Sequence, residues 1–397
     1  MSIIIADVDM IIMNFLQQIP HDILNMMSAN KYYCRLILSM PIMMQRKELK
    51  KMCDMRKFKS YLPSSPEFIW SCEKGYIELA QWLCYPYKTH HMRSYTNNCA
   101  FLSSCENGHI EIVQWLISIT RIDIHAENEY AFISSCANGH IEIARLLIEL
   151  GESNSYKKIN IRTDTDIAFR NCCKNGHYEV AKWLVQLSVT YGKINIHADD
   201  EYAFRYSCKN GHFDIACWLI YQGESTLYDK INIHAKKECA FRWACGTGRT
   251  EIAKWLIELG HTYGKIDIHE ENEYAFRRSC SRKHTDIFHW LIDLSENENY
   301  GHIDIHADDE YAFRWCCKNV HIEISKWLIS LGETDLYKKI NIHASHDYAY
   351  YWSYKNKQTE ITKWLATLGK NKDYGKINKK NIFTMDLLTP ESRKRLP

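Results

Sequence analysis

Residues 202–220 read YAFRYSCKNGHFDIACWLI, and closely similar phrases recur along most of the chain. Aligning the phrases on their Trp-Leu pair gives nine anchor positions that lie 31 to 37 residues apart. A chain of 397 residues is too long for one ordinary core, and a period of this length predicts a stack of structural repeats. The anchors are Trp82, Trp115, Leu146, Trp183, Trp218, Trp255, Trp290, Trp327 and Trp364.

Each repeat is predicted to be a pair of helices. Phe204 and Cys208 are four residues apart, so they share one face of a short helix over about residues 202–209. The Asn-Gly pair at 210–211 ends that helix, because glycine adopts a left-handed conformation at little cost. A second helix follows over residues 212–221. One such hairpin cannot bury both sides of its apolar face, so neighbours must stack as a solenoid.

The segment between repeats has a different pattern. In LYDKINIHADDE two isoleucines alternate with polar residues, which predicts an extended arm or a β-turn leading into the next repeat. The charge at the tip of the arm changes from one repeat to the next, as in Asp199-Asp200 and Lys236-Lys237. The tips are therefore candidate contacts for a partner.

The composition is that of a folded protein. Apolar residues make up 46% of the chain, charged residues 25%, and the net charge is +2. Acids nearly match bases, which argues against general nucleic-acid binding because that needs a basic face. No run approaches the roughly 18 uninterrupted apolar residues of a membrane span, and Asp7 and Asp9 interrupt a first segment that lacks the charges of a signal peptide. The sixteen cysteines then indicate reduced thiols and a location in the cytoplasm or nucleus.

Three columns of the alignment are kept in nearly every repeat and are interpreted as structural. An aromatic column is predicted to form the core, a cysteine column to pack neighbouring first helices, and an acidic column to face the positive end of the second helix. Disulfides within the cysteine column are not expected, because packed helices lie about 8–10 Å apart. The aromatic column is Phe68, Phe101, Phe132, Phe169, Phe204, Phe241, Phe276, Phe313 and Tyr350; the cysteine column is Cys72, Cys105, Cys136, Cys173, Cys208, Cys245, Cys280 and Cys317; the acidic column is Glu78, Glu111, Glu142, Glu179, Asp214, Glu251, Asp286, Glu323 and Glu360.

Twelve of the 19 histidines fall in two further columns, which raises the question of zinc. Zinc ligands lie about 2 Å from the ion, so residues one repeat apart cannot easily share it. Hydrogen bonding in the turns and arms is the preferred interpretation, with no metal and no cofactor. The turn column is His109, His140, His177, His212, His284 and His321, and the arm column is His125, His197, His234, His269, His306 and His343.

The repeat resembles the ankyrin repeat in its period, its helix-turn-helix and the phrase NGHIEIVQWLI at residues 107–117. The resemblance covers residues 63–379 and implies an all-α, ankyrin-type solenoid of about nine repeats that binds proteins through its arm tips and inner helices. Two departures are a Tyr-Ala-Phe-Arg opening instead of Thr-Pro-Leu-His and a short insertion after the second helix. The richness in Ile, Asn, Lys and Tyr resembles ankyrin-repeat proteins of giant amoeba-infecting DNA viruses, which implies the host cytoplasm, or the nucleus.

Two columns on the first helix are candidate partner contacts. One is an arginine column, Arg170, Arg205, Arg242, Arg277 and Arg314, which could grip an acidic peptide or phosphates. Each of these arginines also follows an acid by four residues, so a structural pair within the helix is the alternative. The next column varies in the way that recognition surfaces tolerate, and it includes the candidates Tyr206, Trp243, Trp315 and Trp352. Its complete membership is Trp70, Ser103, Ser134, Asn171, Tyr206, Trp243, Arg278, Trp315 and Trp352.

The two ends lie outside the repeat. Residues 1–62 contain an Ile-Pro-x-Asp-Ile-Leu opening and an Asn-Lys-Tyr-Tyr stretch, which either cap the first repeat as a small helical region or form a degenerate F-box-like region. Residues 380–397 are predicted to be a C-terminal tail.

No phosphate-binding glycine loop, nucleophile elbow, HExxH motif or converging acid-base pair is present in the sequence. The sequence therefore predicts a non-enzymatic interaction scaffold. The alternative is a substrate receptor of a ubiquitin ligase, with an adaptor of that ligase as its partner.

Overall fold

A computed structural model describes residues 65–84, 94–153 and 155–377. Within these ranges the chain forms eighteen α-helices arranged as nine consecutive pairs, and no strand is present in them. The predicted all-α helix-hairpin solenoid is therefore confirmed for the described part of the chain. The N-terminal region at 1–62 and the tail at 380–397 lie outside the described residues.

The first helices of the nine pairs are α1 (Ser65–Glu73), α3 (Ser94–Glu106), α5 (Ala126–Ala137), α7 (Thr163–Asn175), α9 (Ala198–Asn210), α11 (Ala235–Gly246), α13 (Glu270–Ser281), α15 (Ala307–Lys318) and α17 (Ala344–Lys355). The second helices are α2 (Ile77–Cys84), α4 (Ile110–Ile119), α6 (Ile141–Glu152), α8 (Tyr178–Tyr191), α10 (Phe213–Gly223), α12 (Thr250–Tyr263), α14 (Thr285–Ser295), α16 (Ile322–Gly332) and α18 (Thr359–Leu368).

The described residues form two compact units. One contains residues 65–172 and 179–194, and the other contains residues 173–178 and 195–377. In the first unit α1 packs on α3 and α3 packs on α5. In the second unit α9, α11, α13, α15 and α17 pack side by side in chain order. Each unit is thus a stack of hairpins joined through their first helices.

Aromatic contacts connect successive repeats. In the second unit the Phe204 ring lies 6.2 Å from the Trp255 ring, and Phe241 lies 6.4 Å from Trp290. Each contact joins the first helix of one repeat to the second helix of the next. All nine members of the aromatic column are buried. A repeat therefore completes its core only when its neighbour is in place. This agrees with the prediction that one hairpin cannot bury its apolar face alone.

The cysteine column provides close helix packing. All eight of its members are buried, free thiols. Burial raises the pKa of the Cys72 thiol to about 12, so the reactive thiolate is disfavoured. The interpretation of this column as packing is confirmed.

The arms are extended, and both isoleucines of each arm point inwards. Ile194 and Ile196 are buried, as are Ile231 and Ile233. This is the pattern of an extended segment, in which successive side chains point to opposite faces. The intervening polar residue, such as Asn195, is exposed. The arm therefore contributes two side chains to the core of its repeat.

A left-handed turn lies at the start of seven of the first helices, from α5 to α17. In α9 the residues Asp199, Asp200 and Glu201 have φ values of 54°, 50° and 61°. Right-handed helix therefore begins near residue 202, as the sequence predicts. Residues other than glycine seldom adopt this conformation, which costs roughly 1–2 kcal/mol for each residue, so the turn requires compensating contacts.

None of the helices in the described ranges combines the length and the apolar character that are needed to cross a membrane.

Candidate functional site

The arginine column supplies the contacts that the left-handed turn requires. Arg205 donates a hydrogen bond from Nε to the carbonyl of Asp200 (2.6 Å) and from Nη2 to the carbonyl of Asp199 (2.9 Å). These carbonyls belong to consecutive residues of the left-handed turn, and a guanidinium, with its donors in a fixed fork, can bond both. The equivalent bonds from Arg170, Arg242, Arg277 and Arg314 are 2.5–3.0 Å long.

The predicted pairing of the arginine with the acid four residues earlier is wrong for Arg205 and Glu201. The carboxylate of Glu201 instead accepts a hydrogen bond from His197 Nδ1 at 2.9 Å and another from the backbone N–H of Asn232 at 3.1 Å. The acid therefore joins its own turn to the arm of the next repeat. Backbone carbonyls, rather than the carboxylate, occupy the Nε and Nη2 donors of Arg205.

Burial limits what the arginines can offer a partner. Arg205, Arg277 and Arg314 are only 6%, 8% and 4% exposed, whereas Arg170 and Arg242 are half-buried. Three of the five side chains lie beneath the surface, and all five hold the turns at the arm tips in place. Their backbone contacts were not foreseeable from spacing, because nothing in the sequence marks a left-handed turn of residues other than glycine.

The variable column contributes to two groups of contacting rings in the second unit. The Tyr206 and Trp243 ring centres lie 5.0 Å apart and meet edge to face. The Trp315 ring lies 6.4 Å from that of Tyr348, which lies 6.0 Å from that of Trp352. All five of these side chains are half-exposed. The structure thus brings four candidates predicted from the sequence onto the face of the first helices.

Sequence reasoning missed four tyrosines that begin the right-handed part of first helices in the second unit, Tyr202, Tyr274, Tyr311 and Tyr348. Tyr202 stacks on Tyr206 with ring centres 4.1 Å apart, and Tyr311 stacks on Trp315 at 5.4 Å. The signal was available, since residues four apart meet on one helix face. The aromatic row is defined here as Tyr202, Tyr206, Trp243, Tyr274, Tyr311, Trp315, Tyr348 and Trp352.

Cations lie over the rings of the row. Lys209 Nζ is 4.6 Å from the ring centre of Trp243 and 5.1 Å from that of Tyr206. Lys318 Nζ is 4.0 Å from the Trp315 ring centre and 4.5 Å from that of Trp352. Such contacts hold an ammonium group close to an aromatic face. The cation row is defined here as Lys174, Lys209, Arg278, Lys318 and Lys355, each of which lies over at least one ring of the aromatic row or its neighbouring tyrosines.

The charged arm tips bind each other across repeats. Lys236 pairs with Asp200 at 2.6 Å, and Lys237 pairs with Glu271 at 2.9 Å. The alternation of charge from one tip to the next therefore serves contacts between repeats. The hydrogen bond from Lys236 lowers the pKa of Asp200, in keeping with an ionised pair.

The histidines form hydrogen bonds in both columns, as predicted. His269 Nδ1 lies 2.7 Å from Glu273 Oε1, and its Nε2 lies 2.7 Å from the carbonyl oxygen of Tyr300. In the turn column His109 Nε2 lies 2.9 Å from the carbonyl oxygen of Glu73 in the preceding repeat. Among the described residues no cluster of His, Cys, Asp or Glu has the geometry to hold a metal ion.

Comparison with known families agrees with the helix-hairpin stack. The family model described as "Ankyrin repeats (3 copies)" matches residues 68–158 and 204–304. The model described as "Ankyrin repeats (many copies)" matches residues 171–220. Together the two models cover more than half of the chain. No curated protein matches the sequence.

Proposed function

Because the chain belongs to the ankyrin-repeat proteins, we propose that it is a protein-binding scaffold that holds its partner on the aromatic row of the second unit. A row of tyrosine and tryptophan that spans five consecutive first helices, and of which every member except the buried Tyr311 is half-exposed, is the observation that supports this placement. Large rigid rings bury much area at low entropic cost, and Trp, Tyr and Arg dominate the energetics of protein interfaces.

Variation within the row favours recognition over packing. The anchor tryptophans repeat with little change, whereas the variable column holds Tyr206, Trp243, Arg278, Trp315 and Trp352 in five consecutive repeats. A structural column would keep one residue type, because every repeat makes the same contact there. Different side chains at one half-exposed position suit the uneven surface of a specific partner.

The arginine column has a supporting part in this proposal. Arg170, Arg205, Arg242, Arg277 and Arg314 fix the arms that border the row, and the two half-buried members, Arg170 and Arg242, can add direct contacts. The arm tips contribute less than their charge suggests, because Lys236 and Lys237 already pair with acids of neighbouring arms.

The proposed activity is binding without catalysis and without a cofactor, in the cytoplasm or the nucleus. A virus-encoded protein of this kind would act on a host partner. The alternative function as a substrate receptor of a ubiquitin ligase depends on residues 1–62 and remains a prediction from the sequence.

Replacing Trp243 and Trp315 together with alanine tests the placement. We expect the double variant to capture at least about tenfold less partner from a cell lysate than the wild type does. Truncation of a central aromatic side chain commonly costs more than about 1 kcal/mol of binding free energy, and two are removed. Quantitative mass spectrometry of captured proteins measures the loss, and circular dichroism checks that helicity is kept. Tyr221→Ala is the matched control, because Tyr221 is 69% exposed on a second helix. Equal capture by wild type and the double variant would contradict the placement.

A further inference from the structure

We infer that the partner segment seated on the aromatic row is an extended, acidic stretch of protein with a carboxylate at about every third residue. The inference rests on the proposed function and names the chemistry of the ligand. Three observations carry it: the charge of the first-helix face, the state of its cations and the spacing of the repeats.

The right-handed part of each first helix in the second unit carries basic residues and no acid. Five windows of eleven residues, 202–212, 239–249, 274–284, 311–321 and 348–358, run from the first residue after the left-handed turn to the turn between the two helices and contain no Asp or Glu. An acidic ligand therefore meets no opposing charge along them. The same windows contain Arg205, Lys209, Arg242, Arg249, Arg277, Arg278, Arg282, Lys283, Arg314, Lys318, Lys355 and Lys357.

The equivalent windows of the first unit differ. Residues 99–109 contain one acid, Glu106, and neither Arg nor Lys, while residues 130–140 contain no Asp, Glu, Arg or Lys. A net charge of +2 for the whole chain conceals this segregation. The basic character is therefore a property of particular repeats and not of the fold, which is expected of a surface that serves one ligand.

The central cations of the row are positioned but not neutralised. Among the described residues, no carboxylate pairs within 4.0 Å with Lys209, Arg278 or Lys318. Partial burial lowers the pKa of Lys318 because it disfavours the charged ammonium. A carboxylate bound nearby would stabilise that charged form. The rings hold these groups in place, which reduces the entropy that binding would otherwise cost.

The ring faces favour a carboxylate ligand over the bases of a nucleic acid. Base stacking needs an open aromatic face. Lys318 instead covers Trp315 and Trp352, Lys209 covers Trp243, and Tyr202 stacks on Tyr206. A carboxylate can approach the ammonium groups from outside and leave these contacts intact.

Repeat spacing sets the pattern of the ligand. Neighbouring packed helices lie about 8–10 Å apart, and an extended chain advances about 3.3 Å for each residue. A segment that crosses the first helices therefore passes one repeat for roughly every three residues. One carboxylate in three then meets a member of the cation row in every repeat of the second unit except that of α11, and the residues between can pack on the exposed ring edges.

The test uses the full chain and fluorescence anisotropy with three labelled probes. The first is a peptide of about fifteen residues that repeats Glu-Ser-Leu, the second has Gln in place of every Glu, and the third is a single-stranded oligothymidylate of about fifteen nucleotides. We expect the Glu peptide to bind at least about tenfold more tightly than either other probe, and added salt to weaken it.

Substitutions locate the binding. Lys209→Gln with Lys318→Gln should weaken binding of the Glu peptide by about tenfold or more. Lys254→Gln with Lys326→Gln, two exposed lysines on second helices, should change it less than about twofold. Equal loss in both double variants, tighter binding of the oligothymidylate, or no binding of the Glu peptide would overturn the inference. The Gln peptide could bind as tightly as the Glu peptide and lose its binding in the Trp243→Ala, Trp315→Ala double variant. That result would overturn the acidic ligand but leave the proposed function in place.

Discussion

His269 and His284 belong to one repeat and meet opposite environments. Burial alone would lower the pKa of His269, but the Tyr300 carbonyl and the Glu273 carboxylate accept its N–H groups and raise the pKa above 6.5. Burial lowers the pKa of His284, and the nearby Arg282 and Arg249 add to that effect. The pKa values of His269 and His284 are therefore shifted in opposite directions, although the sequence presents the two histidines as similar.

We expect the ring signals of His269 and His343 to titrate above pH 6.5, and those of His284 and His321 below it. NMR titration measures the four values, with His→Gln variants for assignment. By linkage, the stability from His269 and His343 is fully present below pH 6.5 and is lost as the pH rises through their raised pKa values. His284 and His321 act oppositely and cost stability as the pH falls below 6.5. Titration of all four rings at one pH would contradict the assignment.

At this scale the sequence predicts columns well and contacts less well. The burial of Phe204 and Cys208 followed from helical spacing, because every repeat uses the same core position. The contacts of Arg205 did not follow, because its acceptors are carbonyls of a turn that local preferences disfavour. Spacing identifies which side chains share a face, but it does not identify the backbone groups that lack partners.

The turn between the two helices of a repeat has one backbone conformation, but its residue type does not always indicate that conformation. Glycine occupies this turn in six repeats, and Gly248 has a φ of 78° there. Three later repeats have Lys283, Val320 and Lys357 at that position, with φ between 58° and 66°. These repeats therefore keep the positive φ of the turn without the glycine that favours it. The β-branched valine is the least suited of the three residues to this conformation.

Val320→Gly should raise the free energy of unfolding by about 0.5–1 kcal/mol, because the relief of a left-handed valine exceeds the entropic cost of glycine. Urea unfolding followed by circular dichroism measures the change. Gly248→Val is the reciprocal variant and should destabilise the protein, since an added Cβ would also lie 2.7 Å from the His284 ring. A loss of stability in Val320→Gly would show that the side chain, which is 56% exposed, contributes more than its backbone costs.

The extended arms and the helix pairs were predictable because they repeat. Nine copies of one pattern average out the ambiguity of any single short segment, so both helices of each pair are found where the phrase places them. The left-handed turn at the start of α9 was not predictable, since Asp199, Asp200 and Glu201 have no glycine among them. Contacts with Arg205 and His197 override the local preference.

For the whole molecule, the sequence predicts a stack of hairpins and a binding face on its first helices. It does not predict which repeats carry this face. The five windows without acids form one basic surface only because their helices are neighbours, and that is known from the structure. The second unit combines an aromatic row, unpaired central cations and an absence of acids in those windows. A repeat protein can thus present a specific surface on part of an otherwise uniform scaffold.

The twelve tryptophans allow the most direct test of that surface. After incorporation of 5-fluorotryptophan, the ¹⁹F spectrum is recorded with and without the Glu peptide, and Trp→Phe variants assign the signals. We predict shifts for Trp243, Trp315 and Trp352, which lie in the aromatic row, and none for the anchors Trp218, Trp255 and Trp290. Binding that shifts the anchor signals and leaves those of the row unchanged would contradict the account.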